Sequence, residues 1–205
     1  MVKPYFKITR KNCLHSLRES EYLLDEKHRV FWTCENYIDL DFSGLDNWTF
    51  HTGSCCTFKT GGKCTFKTSH DCTFITSWGC IFKTGDNCTF DTGFDSTFAT
   101  GKNCIFRTSS MCIFKTRGDC NFRTGVECTF NTSANCTFKT SEHCTFFTFE
   151  NCTFTTGWSC TFSLWDINSC KFKSFDDEST ILDKKDNRHY ILSKKLITML
   201  KVTNG

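Results

Sequence analysis

The sequence is notable first for what it lacks. Its 205 residues include one proline, Pro4, and no run of about 18 apolar residues. A membrane-spanning helix is therefore not expected. The N-terminus, MVKPYFKITRKNCLHSL, lacks the apolar segment of a secretory signal. The net charge of +3 gives the chain as a whole no strong polyelectrolyte character.

Two residue types are abundant instead, because the chain contains 23 Phe and 17 Cys. Such a cysteine content is typical of secreted disulfide scaffolds. Here the count is odd, the spacing follows a strict repeat and no secretory signal is found. We therefore predict reduced thiols and a reducing, intracellular location, and not secretion.

The repeat has a period of eight residues. Aligned on cysteine, its units begin at Cys56 and recur to Cys160, with Ser96 in one place, and two degenerate units cover 40–47 and 48–55. The third position is Phe in all 16 units, and the fifth is Thr in most of them. Gly or Ser is common at the sixth position, and Asn or Asp is common at the eighth. Regularity of this kind indicates a repeat architecture.

Within a unit, the sequence CTFKT alternates with the period of a β-strand. Positions 1, 3 and 5 share one face, and positions 2 and 4 share the other. Position 4 is often Lys or Arg, which is costly to bury without a partner. Cys, Phe and Thr are therefore predicted to point inward. The last three positions, such as GDN at 85–87, have turn chemistry because Gly and Asn tolerate positive φ.

The number of units per coil follows from geometry. One octad gives a perimeter of about 26 Å, too small for two sheets about 10 Å apart. Two octads place two strands face to face across a Phe-filled interior, whereas an antiparallel meander exposes a wide Phe face unless it closes or pairs. We predict an all-β fold, a two-sided parallel β-solenoid with two octapeptides (16 residues) per coil and about eight coils.

The two ends are predicted to be caps, which protect the open edges of a solenoid. The domains are then an N-terminal cap at 1–39, the solenoid at 40–167 and a C-terminal cap at 168–205. A short amphipathic helix is expected within 13–30, with Leu14, Leu17 and Leu24 on one side. The segment 170–177 reads as one more unit displaced by two residues, followed by a hairpin around KDNR or by a strand and a helix. The C-terminal segment is expected to pack over a set of apolar residues: Phe147, Phe149, Trp158, Leu164 and Trp165.

The units across 56–163 resemble the octapeptide-repeat proteins rich in CTFKTGxN that are encoded by giant DNA viruses of amoebae, such as the marseilleviruses. The inward small-x-Phe pattern is more distantly similar to that of pentapeptide-repeat proteins, whose period differs. The resemblance implies a viral protein, present in the particle or in the infected cytoplasm.

Specific chemistry is hard to derive from the repeat. The cysteines lack the C-x-x-C spacing of zinc sites, so a core role is favoured over disulfides or metal binding, and no metal or cofactor is predicted. The outward Thr at position 2 resembles ice-binding solenoids, but position 4 is usually charged. No nucleophile–base arrangement or phosphate-binding loop is found, so the protein is not predicted to be an enzyme or to have a small-molecule substrate.

Two surface features remain as candidate interaction sites. Basic residues recur at position 4 and form a possible polyanion face: Lys59, Lys67, Lys83, Arg107, Lys115, Arg123 and Lys139. Position 7 of alternate units is more apolar, which defines a possible self-association corner at Trp78, Phe94 and Trp158. We predict a rigid structural or protein-interaction solenoid that forms homo-oligomers or binds other viral proteins. The alternative is a nucleic-acid-associated protein that binds phosphates through the basic residues. If they bind nothing, these residues are explained as a surface that keeps the protein soluble.

Overall fold

The computed structural model describes residues 7–11, 17–173, 179–193 and 196. These residues are nearly all in strands and tight turns, with single 3-10 turns at Glu19–Glu21 and Ile167–Ser169. The strands, in chain order, are β1 Lys7–Arg10, β2 Leu23–Asp25, β3 Val30–Trp32, β4 Ile38–Phe42, β5 Thr49–His51, β6 Thr57–Thr60, β7 Thr65–Lys67, β8 Thr73–Ile75, β9 Ile81–Lys83, β10 Thr89–Thr92, β11 Thr97–Ala99, β12 Ile105–Thr108, β13 Ile113–Lys115, β14 Asn121–Arg123, β15 Thr129–Asn131, β16 Thr137–Lys139, β17 Thr145–Thr148, β18 Thr153–Thr155, β19 Thr161–Leu164, β20 Lys171–Phe172, β21 Thr180–Asp183 and β22 Arg188–Ile191.

Successive strands of the repeat alternate between two sheets. Sheet 1 has the order β1-β4-β6-β8-β10-β12-β14-β16-β18-β20, and sheet 2 has the order β2-β3-β5-β7-β9-β11-β13-β15-β17-β19-β21-β22. Neighbouring repeat strands are parallel and in register, so Phe90 lies opposite Phe106 in sheet 1 and Phe98 lies opposite Phe114 in sheet 2. The prediction of a two-sided parallel β-solenoid with 16 residues per coil is confirmed, with about nine turns. An antiparallel meander is excluded.

The interior is a double column of phenylalanine rings. Within each sheet, rings one coil apart are stacked, as for Phe90 and Phe106 with centroids 4.9 Å apart and planes 2° apart. Between the sheets the rings meet edge to face, as for Phe106 and Phe114 at 5.2 Å and 77°. Both arrangements are favourable for aromatic quadrupoles. The threonines of position 5 also point inward, and Thr92, Thr100 and others are buried. The repeat therefore specifies a core.

The corners depend on one backbone conformation. Position 8 has positive φ in every unit from Asn47 to Ser159, even at Lys63 (55°), Met111 (58°) and Glu127 (56°). This left-handed residue lets the chain turn within three residues, and its amide then bonds to the next coil: the Asn87 N–H donates to the Lys102 carbonyl at 2.9 Å. Position 6 is Gly or Ser in most units because coils approach closely there, and a Cβ added to Gly101 would lie 2.8 Å from the Gly85 backbone. The position 8 amides from Asn47 to His143 are thus satisfied by backbone carbonyls.

The N-terminal end differs from the expectation. The described part of 13–30 contains no α-helix, so the helix prediction is wrong there, while Leu14 and residues 13–16 lie outside the described residues. Strands β2 and β3 form an antiparallel hairpin, and β3 continues sheet 2 in parallel with β5. Leu17 is buried and Leu24 packs against the core, as a helix would also have required. The open edge of sheet 2 offers hydrogen-bond partners to the backbone of β3. This pairing outweighs the weak helical periodicity of the segment.

The C-terminal end follows the sequence prediction more closely. Strand β20 pairs with β18 with Lys171 opposite Thr153, so this unit is displaced by two residues as predicted. Strands β21 and β22 form the predicted hairpin, and β21 adds to sheet 2 in parallel with β19. The Lys185 Nζ lies 2.7 Å from the Asp166 carboxylate and ties the hairpin to the last corner. Parallel pairing therefore extends beyond 40–167 at both ends.

Candidate interaction surfaces

The seven basic residues of position 4 do not share one face. Because two octads make one coil, successive units belong to opposite sheets. Sheet 1 carries Lys59, Arg107, Arg123 and Lys139, and sheet 2 carries Lys67, Lys83 and Lys115. All seven side chains are exposed. A spacing of eight in the sequence therefore becomes two separate sets, each with a spacing of 16.

The longest uninterrupted basic run is on sheet 1. Arg107 lies opposite Arg123, and Arg123 lies opposite Lys139, in three successive coils. At about 4.8 Å per coil, the three cations extend over about 10 Å. Asp91 limits this run on one side and Thr155 on the other. On sheet 2, Lys67 and Lys83 are adjacent, but Ala99 separates them from Lys115. Only three of the seven side chains thus form a continuous basic strip.

The apolar corner is real but shorter than the sequence suggested. The rings of Trp78 and Phe94 are stacked, with centroids 5.8 Å apart and planes 7° apart. Both are exposed at the surface, by 36% and 45% respectively. The Lys63 Nζ lies 4.7 Å from the Trp78 ring and covers its other side. Trp158 lies four coils from Phe94, about 19 Å along the axis, and contacts His143 instead.

A second aromatic surface was not recognised as a site from the sequence. Phe149 and Trp165 stack with centroids 6.0 Å apart, and Phe147 is also exposed. The expectation that the C-terminal segment packs over these residues is wrong for Phe147, Phe149, Trp158 and Trp165, whereas Leu164 is buried. The reason is that β21 adds edge-on to sheet 2 and does not cross its outer face. The sequence did contain a signal for this surface, because these aromatic residues occupy outward positions that are polar or small in most units.

Acidic residues at the corners have a structural use. The Asp46 carboxylate accepts the Gly62 N–H at 2.6 Å, and the Asp86 carboxylate accepts the Lys102 N–H at 2.9 Å. Each pair lies one coil apart. These carboxylates therefore hold neighbouring coils together, in addition to giving the corners their charge.

The cysteines form two buried columns at the corners. One column contains Cys56, Cys72, Cys88, Cys104, Cys120, Cys136, Cys152 and Cys170, and the other contains Cys64, Cys80, Cys112, Cys128, Cys144 and Cys160. Each thiol donates to carbonyls of its own corner, as Cys88 does to Asp86 at 3.4 Å. Neighbouring thiols also contact one another: a hydrogen bond to Cys72 and burial raise the pKa of Cys56. Burial raises the pKa of Cys170. Outside the columns, Cys34 is exposed and Cys55 is half-buried in a turn.

Two clefts of the described surface lie near the N-terminal end, and neither has a described His, Cys or Ser in its lining. A cleft of about 320 Å³ at the N-terminal end of sheet 1 is lined by Lys7, Asp39, Asp41 and Lys59, among others. Ser43 donates to the Asp41 carboxylate from both its amide and its hydroxyl, which lowers the pKa of Asp41. That carboxylate is therefore held ionised and engaged, an arrangement unsuited to proton transfer at neutral pH.

The described residues offer neither a metal site nor a helix that could cross a membrane. No cluster of three or more His, Cys, Asp or Glu side chains within this part of the chain has the arrangement of a metal site. Among the same residues, no helix has the length and apolar character needed to cross a membrane.

Comparison of the chain with protein-family models, with curated proteins and with solved structures found no significant match. The surfaces therefore have to be interpreted from their own chemistry.

Proposed function

We propose that the protein is a non-enzymatic, rigid structural solenoid that associates with a second copy of itself through the corner formed by Trp78 and Phe94. The observation that carries this proposal is the exposed aromatic stack. Trp and Phe are enriched at the centres of protein interfaces, and Trp is among the residues that contribute most of the binding energy there. By the resemblance of its repeat to viral octapeptide proteins, we place it in the virion or the virus factory.

Rigidity supports a structural role. Each Phe of the central coils contacts four other rings, and every coil bonds to its neighbours through both sheets and both corners. Coils that bind only their neighbours give a stiff rod, and its faces display side chains at fixed intervals. Such a surface suits assembly with another regular surface.

A second copy is the partner that fits the corner best. The Trp78 and Phe94 rings are parallel, and Met111 follows at the same corner in the next coil with its side chain exposed. An isologous contact brings this apolar corner against its own copy, which removes both patches from water. A stable contact of this kind needs about 1,200 Å² or more of total buried area, so surface beyond these three side chains has to contribute.

The test is size-exclusion chromatography with light scattering of the full chain. We expect a dimer that the double variant Trp78→Ser/Phe94→Ser converts to a monomer. Serine is tolerated because Ser110 occupies the equivalent position two coils from Trp78. The control is Ile75→Thr, an exposed apolar residue on sheet 1 whose equivalent position holds Thr155. A monomeric wild type, or dimers that survive the double variant, would contradict the proposal.

A second function is favoured by the strip of Arg107, Arg123 and Lys139. Three adjacent cations on a flat sheet can neutralise phosphates of a nucleic acid, and such binding weakens steeply with salt. The assay is a salt titration of duplex DNA binding with wild type and with Arg107→Thr/Arg123→Thr. The control is Lys67→Thr on sheet 2. Loss of binding confined to the sheet 1 variant would support this function, and no binding by wild type at low salt would exclude it.

A further inference from the structure

We propose that the two cysteine columns are sites of oxidation that close into seven disulfides along the solenoid axis. Each bond joins thiols one coil apart. The pairs are Cys56–Cys72, Cys88–Cys104, Cys120–Cys136, Cys152–Cys170, Cys64–Cys80, Cys112–Cys128 and Cys144–Cys160. This inference concerns the interior and is independent of what the exterior binds.

Adjacent cysteines of a column are aligned by the sheet hydrogen bonds. The Thr73 N–H donates to the Cys56 carbonyl at 2.8 Å, and the Thr89 N–H donates to the Cys72 carbonyl at 2.9 Å, so the column is part of the ladder. The Cα atoms of aligned residues are about 4.8 Å apart, within the range of about 4.4–6.8 Å found across disulfides. Parallel Cβ vectors keep the Cβ atoms near the same spacing, so closure to the Cβ–Cβ distance of about 3.8 Å found in disulfides requires an approach of about 1 Å.

The thiols are already neighbours. Thiols one coil apart share a carbonyl acceptor: Cys56 and Cys72 both donate to the Gly53 carbonyl, at 3.8 and 3.7 Å. Cys104 and Cys120 share the Gly101 carbonyl in the same way, at 3.9 and 3.8 Å. No other side chain lies between the cysteines of successive coils in a column, so none has to move for the bond to form. A disulfide between the two columns is prevented, because the Phe rings of both sheets fill the space between the columns.

The strongest support for axial pairing is that each uninterrupted run of cysteines contains an even number of them. The first column has Ile38 at its start and then eight cysteines to Cys170. The second column starts at Trp48 and is interrupted once, by Ser96, which divides its cysteines into runs of two and four before Ser179 ends it. All three runs are even. Pairing between neighbours therefore leaves no buried thiol over, and it has one complete solution in each run.

The chemistry is thiol–disulfide exchange with a low-molecular-weight disulfide such as oxidised glutathione. One cysteine thiolate attacks the reagent, forms a mixed disulfide and releases one glutathione thiolate. The neighbouring thiolate then attacks the protein sulfur, closes the axial bond and releases the second glutathione. Two electrons pass from each cysteine pair to the reagent, and the two thiol protons end on the two released glutathiones. Because the folded columns exclude solvent, the exchange takes place while coils are being added.

The experiment is refolding of the full chain in a glutathione redox buffer, in a background with Cys13, Cys34 and Cys55 replaced by serine. Each bond removes two hydrogens, so seven bonds lower the intact mass by about 14 Da relative to the reduced protein. Tryptic peptide 84–102 should be linked to 103–107, which contain Cys88 and Cys104 as their cysteines. Peptide 118–123 should be linked to 124–139 and not to 103–107, because the latter is the opposite pairing phase.

The matched variant is Ser96→Cys, which joins the runs of two and four into one run of seven. It adds a thiol to the column without adding a possible bond. We expect seven bonds again, with one alkylatable thiol where the parent has none, and mixed pairing within that column alone. A refolded parent with the reduced mass, links between the two columns, or unpaired thiols left in the parent would overturn the proposal.

Discussion

Truncating one ring in the middle of the core tests the account of the fold most directly. The Phe106 side chain is fully buried. Its ring stacks on Phe90 and Phe122 at 4.9 and 4.8 Å and meets Phe98 and Phe114 edge to face at 5.3 and 5.2 Å. Replacing a buried Phe with Ala costs about 3–5 kcal/mol of unfolding free energy. We expect Phe106→Ala to lie at the upper end of that range, because the rings on four sides are held by their own strands and cannot collapse into the cavity.

The same substitution at the end of the column supplies the comparison. The described neighbours of Phe172 are two rings, Phe154 at 5.3 Å and Phe162 at 5.4 Å, and its side chain is 8% exposed. Two ring pairs fewer, at about 0.5–1.5 kcal/mol each, predict that Phe172→Ala costs about 1–3 kcal/mol less than Phe106→Ala. A one-dimensional stack behaves in this way because an end unit has one neighbour.

The assay is urea denaturation in reducing buffer, followed by far-ultraviolet circular dichroism. Ile105→Thr is the control, because Ile105 lies beside Phe106 on the outer face and most coils have Thr at that position. It should change the unfolding free energy by less than about 0.5 kcal/mol. Equal losses for Phe106→Ala and Phe172→Ala would refute the stacked-column account, as would a loss of under about 1 kcal/mol at Phe106.

Three further predictions concern the corners, the C-terminal hairpin and the thiols. Met111→Gly should stabilise the protein by about 0.5–1 kcal/mol in urea denaturation, because it relieves a positive φ. The Lys185 ammonium lowers the pKa of Asp166, so the ion pair stabilises the hairpin at neutral pH and is lost as the pH falls through the folded-state value. The protection factors of the β22 amides should fall there, and Asp166→Asn should abolish the dependence. Oxidised protein should melt above reduced protein, since each bond closes a loop worth about 3 kcal/mol before strain.

The interior could be predicted from the sequence because every unit repeats the same constraint. Alternation of Cys, Phe and Thr with charged residues sets the buried face, and the perimeter argument sets two octads per coil. Both results are confirmed by the register of Phe90 with Phe106 and of Phe98 with Phe114. The position of the left-handed residue was less accessible, because Lys63, Met111 and Glu127 adopt it without the composition that usually signals it.

The ends were harder to predict for a different physical reason. At 17–32 the local pattern is too weak to outweigh the unpaired edge of sheet 2, which recruits β3 as a strand. At the other end, the apolar residues Phe149 and Trp165 suggested a covering segment, whereas the hairpin extends the sheet by its edge. Both outcomes depend on the unpaired edges of sheet 2, which pair with β3 at one end and with β21 at the other. Such edges exist only in the assembled fold, so the sequence of a single unit does not reveal them.

The same geometry decides where function should be sought on this molecule. Inward positions recur every eight residues because both sheets require the same core, but an outward surface recurs only every 16 because each sheet has its own exterior. Outward residues that are eight positions apart, such as Lys59 and Lys67, therefore lie on opposite sides of the solenoid. Outward residues that are 16 positions apart are neighbours in space. The stacked rings of Trp78 and Phe94 and the strip from Arg107 to Lys139 are examples. Since the interior is nearly invariant, departures from the repeat at outward positions in period 16 are what distinguish one face from another. The association and salt experiments are accordingly directed at these two sets of residues.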